Sequence, residues 1–320
     1  MKNLKLLKIF TFLFMGLTLM TACSDDDDDV MATPETIAEI AAATPDLSIL
    51  VSALVRADLV TTLDSPGEYT VFAPTNAAFQ AFLTANNFAN LEAIPVNVLK
   101  QVLLNHVVAG KNISSGLITG YVNSLATYGD TSLNLSMFIN TTSGVKINGV
   151  SNVATPDIMA TNGVIHVVDA VIGLPTVVTF ATADPTFSTL VAALTRESSY
   201  TFASTLSQST TPASFTVFAP TNAAFVSLLT ELGAANLAAI PTATLTATLN
   251  MHVVAGANVQ STALTNNMNI STLGGNITAN ITGGATLTDS NNRMSNIVAV
   301  NVQAANGVIH AIDKVILPPL

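Results

Sequence analysis

The sequence predicts an α+β fold written twice, and three observations lead to that prediction. Long segments recur in the same order at nearly constant spacing. Within each copy, apolar residues at helical spacing come first, and short strand-like segments follow. The length of 320 residues also exceeds that of a usual single domain.

The repeat is read directly from the residues. Tyr69-Thr-Val-Phe-Ala-Pro-Thr-Asn-Ala-Ala-Phe79 returns as Phe215-Thr-Val-Phe-Ala-Pro-Thr-Asn-Ala-Ala-Phe225. His106-Val-Val-Ala-Gly110 returns as His252-Val-Val-Ala-Gly256, and Asn162-Gly-Val-Ile-His166 as Asn306-Gly-Val-Ile-His310. Leu50-Val-Ser-Ala-Leu54 has its partner in Leu190-Val-Ala-Ala-Leu194. The drift between these pairs is small, as expected of a duplicated domain with loop insertions rather than a short-period solenoid. The copies are assigned to 34–173 and 176–317. The short join Gly173-Leu-Pro-Thr176 predicts that they are held semi-rigidly.

The elements follow in order. Leu47, Leu50, Val51, Leu54 and Val55 share one helical face behind Asp46, a candidate N-cap. Phe187, Leu190, Val191 and Leu194 repeat that face. Tyr69 to Ala73 reads as a strand stopped by Pro74, and Thr75 or Asn76 can cap the helix carrying Phe79 and Phe82. Val98, Leu99, Val102 and Leu103 form another helical stripe after Pro95. Val164 to Ile172 is apolar on both alternating faces, the pattern of a strand buried on both sides. The Gly-, Asn- and Thr-rich stretches 129–152 and 266–296 read as short strands and hairpin turns.

Composition narrows the function classes. The hydrophobic fraction is 49 % and the charged fraction 9 %, enough apolar surface to offset the entropy of folding. Mean hydropathy is +0.54, yet beyond residue 22 no apolar run approaches the roughly 20 residues of a spanning helix. Net charge is −10; removing residues 1–22 leaves 7 basic and 20 acidic residues, or −13. A chain so acidic disfavours nucleic acid and anionic lipid. With Cys23 as the only cysteine, no internal disulfide is available.

The amino terminus reads as an address. Lys2, Lys5 and Lys8 precede the apolar stretch Ile9 to Leu19, as in a secretory signal of residues 1–22. Leu19-Met20-Thr21-Ala22-Cys23 resembles a bacterial lipobox, which implies acylation of Cys23 and an anchor in the outer membrane. Residues 23–33 follow as a tether. Its run Asp25 to Asp29 is self-repelling, and it also resembles an acidic signal for display on the outer face of that membrane.

Thr70–Phe79 and Asn162–Asp169, with their copies at 216–225 and 306–313, resemble the two signature boxes of the fasciclin domain. The resemblance implies two tandem domains, each a wedge-like β-sandwich flanked by several helices. It also implies surface proteins that mediate adhesion to extracellular protein or carbohydrate, without catalysis, cofactor or metal. Two family binding features map onto this chain. The Tyr-His motif corresponds to Asn105-His106 and Met251-His252, with Tyr lost in both. The Asp-Ile pair corresponds to Asp157-Ile158, and the second copy has Val300-Asn301-Val302 instead. Asn105, His106, His252, Asp157 and Ile158 are therefore the candidate binding residues. His106 continues the apolar face of Leu99, Val102 and Leu103, so a hydrogen-bonded core histidine is the competing reading. His166 and Asp169, three apart on a strand, point to opposite faces and cannot pair as base and orienter. No Gly-x-Ser-x-Gly elbow or Gly-rich phosphate loop occurs. A structural or self-associating role in the envelope is the alternative function.

Overall fold

Two copies of one α+β unit appear in the computed structural model, which describes residues 35–208 and 214–319. Cys23 and the acidic tether lie outside the described residues. The first copy begins with a capping box. The Thr36 side chain accepts from the Glu39 N–H, and the Glu39 carboxylate accepts from the Thr36 N–H, which starts α1 (Ile37–Ala43). A turn at Pro45 leads into α2 (Ser48–Arg56), followed by α3 (Val60–Asp64). Leu47, Leu50 and Leu54 are buried as predicted, but Val55 is 64 % exposed. The helix rotates Ala53 inward instead, because close packing favours the smaller side chain there. Asp46 does not cap α2; it lies within the preceding turn, and no side chain of that turn caps the helix.

β1 (Tyr69–Pro74) comes next, then α4 (Asn76–Ala85), whose start is capped by Thr75, and α5 (Val96–Leu104). In α5, Leu99, Val102 and Leu103 are buried, while Val98 faces solvent. The strand-rich half comprises β2 (Val107–Ala109), β3 (Gly120–Thr127), β4 (Asn134–Asn140), β5 (Lys146–Ile147), β6 (Ser151–Ala160) and β7 (Gly163–Val168). These strands meander antiparallel from β2 to β7. The last of them then lies parallel to β1, from Tyr69 opposite Gly163 to Pro74 opposite Val168, and closes a barrel. That central parallel pair is buried on both faces, as its largely apolar run requires.

Each face of the central pair belongs to its own core. Val71, Ala73 and Ile165 face the helices with Leu50, Leu54, Leu99 and Phe79. Phe72 and Val168 face the interior of the curled sheet, with Met137, Ile139 and Ile147. The wedge is thus one sheet wrapped around the second core, with helices covering the first.

The second copy repeats this order: α6 (Val177–Ala183), α7 (Ser188–Leu194), α8 (Phe202–Leu206), β8 (Phe215–Pro220), α9 (Asn222–Leu232) and α10 (Thr242–Asn250). Its strands are β9 (Val253–Ala255), β10 (Met268–Thr272), β11 (Gly275–Asn280), β12 (Thr286–Thr288), β13 (Met294–Ala304) and β14 (Gly307–Ile312). Here the sheet runs β10-β11-β12-β13-β14-β8-β9 and is not closed. Among the described residues, no single helix is long and apolar enough to cross a membrane.

The two copies share packing. Phe138 of β4 sits in the hydrophobic core of the second copy, beside Phe180 and Val302. Tyr121 lies against Phe138 and edge-on to Phe180, with ring centroids 4.9 and 5.5 Å apart. The Tyr121 hydroxyl donates to Asp184, the Gln303 N–H donates to the Ser136 hydroxyl, and the Tyr128 and Ser214 hydroxyls meet at 2.6 Å. Burial of one phenylalanine contributes roughly 1.5–3 kcal/mol, so this joint resists bending, as the short join predicts.

Candidate functional site

The candidate binding residues divide into an inner and an outer group. Asn105, His106 and His252 are inner: each is at most 3 % exposed. The end of α5 presents His106 inward. Its Nδ1–H donates to the Val102 carbonyl at 2.7 Å, and its Nε2 accepts from the Ile172 N–H at 2.9 Å. The neighbouring Asn105 donates to the carbonyls of Ile172 and Gly173 and accepts from the Ser124 hydroxyl. Both residues therefore fasten the segment leaving β7 to the end of α5. His252 does likewise, with Thr248 in place of Val102 and Ile316 in place of Ile172. Burial lowers the pKa of both histidines to about 4, against the opposing effect of the helix carbonyl each one meets. Their ring nitrogens are satisfied and neutral. The expectation that Asn105, His106 and His252 face a ligand is corrected: buried polar groups hold their partners here, and none reaches the surface.

Asp157 and Ile158 are outer, both half-buried on the bulged strand β6. Asp157 adopts a left-handed backbone with φ of 63°. One carboxylate oxygen accepts from the Ser114 N–H at 2.7 Å and the other from the Ser114 hydroxyl. These bonds, with a smaller contribution from His166, hold the Asp157 carboxyl below its usual pKa. The Asp157 N–H donates to Nδ1 of His166, and Nε2–H of His166 donates to the Asn112 carbonyl at 2.9 Å. His166 is itself fully buried and stacks on Phe72.

The second copy reproduces this network with Asn301, the residue read from the sequence as a loss. Asn301 has φ of 59°, accepts from the Ser261 N–H at 2.8 Å and donates to the Ser261 hydroxyl. Its N–H meets Nδ1 of His310, which stacks on Phe218 and donates through Nε2–H to Val259. Asparagine shares the shape of aspartate and tolerates the left-handed region. The geometry therefore survives while the charge does not. Asp157 and Asn301 act first as local braces that fix a bulge.

Four asparagines missed as tethers hold the signature boxes in place. Asn76 accepts from the Ile49 N–H and donates to the Pro45 carbonyl; Asn222 does the same for Thr189 and Pro185. Asn162 accepts from the Ile37 N–H and donates to the Leu63 and Ser65 carbonyls. Asn306 repeats this with Val177, Leu206 and Gln208. Their exact recurrence in both boxes was the available signal. Asp169 and Asp313 point away from their histidines and bind Asn152 and Asn296. Among the described residues, no three His, Cys, Asp or Glu side chains come together as metal ligands.

Comparison with known proteins bears on this arrangement. The family model for the fasciclin domain matches residues 45–175 and 185–318. Protein sll1483 of Synechocystis is 42 % identical over 139 residues, covering 43 % of this chain and 72 % of its own length. Human periostin is 34 % identical over 122 residues, covering 38 % of this chain but 14 % of periostin. A solved FAS1 domain pair from the insect cell adhesion molecule Fasciclin I matches 85 % of this chain and 97 % of its own, with a TM-score of 0.50 and 18 % identity. That last likeness concerns the fold. With both boxes, their tethering asparagines and the matching family model in place twice, the chain belongs to the fasciclin family and carries two fasciclin domains in tandem.

Proposed function

We propose that the protein is a non-catalytic surface binding module that attaches its cell to extracellular protein or polysaccharide. In this reading acyl chains on Cys23 hold it in the outer membrane, and the acidic tether lifts the folded part away from it. The observation behind the reading is the fate of the chemically capable side chains. All four histidines are buried and bonded within the fold, so chemistry gives way to shape and surface. Membership in a family that includes an insect cell adhesion molecule supports the same direction.

The test is protease shaving of intact cells with a Cys23→Ser control, followed by binding of the full chain to arrays of matrix proteins and glycans. Shaving should remove the wild type from whole cells, and the array should yield a ligand. Resistance to shaving would remove the surface claim. Absence of any ligand, together with self-association, would favour a structural element of the envelope. The stiff joint between the domains suits that second role too.

A further inference from the structure

Among the described residues, the outer sheet face of the first domain is covered by the second domain, whereas the same face of the second domain is open. The two faces can be aligned residue by residue through their registers. Ile139 lies opposite Ile147, which lies opposite Ser151; Ala279 lies opposite Leu287, which lies opposite Ser295. Phe138 therefore corresponds to Thr278, and Tyr121, opposite Phe138, corresponds to Asn269, opposite Thr278. The aromatic pair that docks one domain on the next is replaced by an amide and a hydroxyl.

The replacement extends across four strands. Asn269, Thr278, Thr288 and Met294 lie in one cross-strand row, and Asn280, Thr286 and Asn296 in the next. Ile270, Ile277, Ala279 and Leu287 point the other way, into the core. Between Glu231 and Asp289 the chain contains no Asp, Glu, Lys or Arg, so β10, β11 and β12 carry no charge in a chain of net charge −10, and the carboxylate at the β13 edge, Asp313, is bound by Asn296. Among the described residues, the side chains of Asn269, Thr278, Thr286 and Thr288 make no hydrogen bond within the fold, leaving donors and acceptors for a partner. An open depression of about 530 Å³ lies between Asn267, Asn280, Thr286, Met294 and Asn296.

We propose that this face binds a neutral polysaccharide chain. The inference rests on the adhesive reading above and names the partner class. Protein interfaces draw their affinity from aromatic and arginine anchors, and the face has none. Anionic polymers need cations, and it has none of those either. A neutral glycan offers hydroxyls to match amide and hydroxyl rows, and strands about 4.8 Å apart repeat on the scale of one sugar ring.

The test is affinity electrophoresis of the full chain, in neutral detergent, through gels containing β-glucan, mannan, galactan or dextran, with alginate as the acidic control. At least one neutral polymer should retard the wild type, and alginate should not. The double variant Thr278→Glu/Thr286→Glu should weaken that binding roughly tenfold or more, with its melting profile unchanged. Asn269→Asp, which adds charge without bulk, provides a second variant. Retardation that persists unchanged in both variants overturns this face while leaving adhesion intact. A ligand found only among matrix proteins overturns the glycan and keeps adhesion. If no neutral polymer retards the wild type and Asn269→Tyr/Thr278→Phe drives head-to-tail association, the face is an end cap and the proposal fails.

Discussion

The hydroxyl of Tyr121 donates to the carboxylate of Asp184 at 3.0 Å, and the two residues belong to different fasciclin domains. Burial, with the adjacent carboxylate adding to it, raises the Tyr121 pKa beyond the usual tyrosine range. Tyr121→Phe should cost about 1–3 kcal/mol, because a buried charged acceptor loses a donor. Phe138→Ala should cost about 3–5 kcal/mol and separate the unfolding of the two domains. Urea denaturation followed by probes in each domain checks both values. The folded chain keeps the Tyr121 proton above the pH at which the unfolded chain loses it, near 10. Stability should therefore fall as pH rises above 10, and less steeply in Tyr121→Phe. An unchanged alkaline slope in that variant would contradict this assignment.

Acid should weaken the fold through His106 and His252. Each has a folded-state pKa of about 4 against 6.5 unfolded. Above 6.5 both states are neutral, and these groups add no pH dependence. As pH falls from 6.5 towards 4 the unfolded chain takes up the protons first, so stability declines, levelling off below about 4. The full window amounts to about 3 kcal/mol per histidine, and His310, also lowered by burial, acts in the same direction. Urea midpoints at intervals between pH 4 and 7 should show the decline. A His106→Gln/His252→Gln variant should be less stable at neutral pH but flatter across that window.

The equivalence of Asp157 and Asn301 can be tested by exchange. Asp157→Asn should change stability by less than about 1 kcal/mol at pH 7, because Asn301 already performs that role in the second domain. Asp157→Ala should cost about 1–3 kcal/mol, from lost bonds to Ser114 and a β-carbon without local support at φ of 63°. The lowered Asp157 pKa makes its contribution present at neutral pH and lost as pH falls through the folded value. Asp157→Asn should remove that acid dependence. Amide exchange at Ser114 and thermal melts across pH provide the readout.

Gly163 and Gly307 are the positions least tolerant of a methyl group. A β-carbon on Gly163 would lie 2.0 Å from the Tyr69 carbonyl oxygen, and one on Gly307 would lie 2.2 Å from that of Phe215. Since the obstacle is backbone, no side-chain rotation relieves it. Gly163→Ala should cost more than about 3 kcal/mol by pushing β7 away from β1. Gly173→Ala, where nothing lies within 4 Å, should be nearly silent by the same denaturation assay.

The duplicated boxes made the fold legible, as did the strand boundary at Pro74 and the buried run after Gly163. Periodicity also placed most helical faces, failing at Val55 and Val98, where a helix rotates to suit its neighbours. The site was less legible, because its logic lies between distant segments. Asn162 reaches Ile37 and Leu63, and Asn76 reaches Pro45; neither spacing leaves a local pattern. Residue identity hides the equivalence of Asn301 and Asp157, because the bulge selects for shape and for tolerance of positive φ. Asn105 is buried beside His106 by Ile172 and Gly173, which pass over it from far along the chain.

The parallel contact between β1 and β7 also governs the order of assembly during synthesis. Tyr69 must wait for Gly163, and Phe215 for Gly307, so neither domain can finish until nearly all of it has emerged. Such late closure slows folding through high contact order. The first domain is complete before the second has its final strand, and it then presents Phe138 and Tyr121 as a ready surface for the second to fold against. Assembly from the amino terminus outward is thereby favoured.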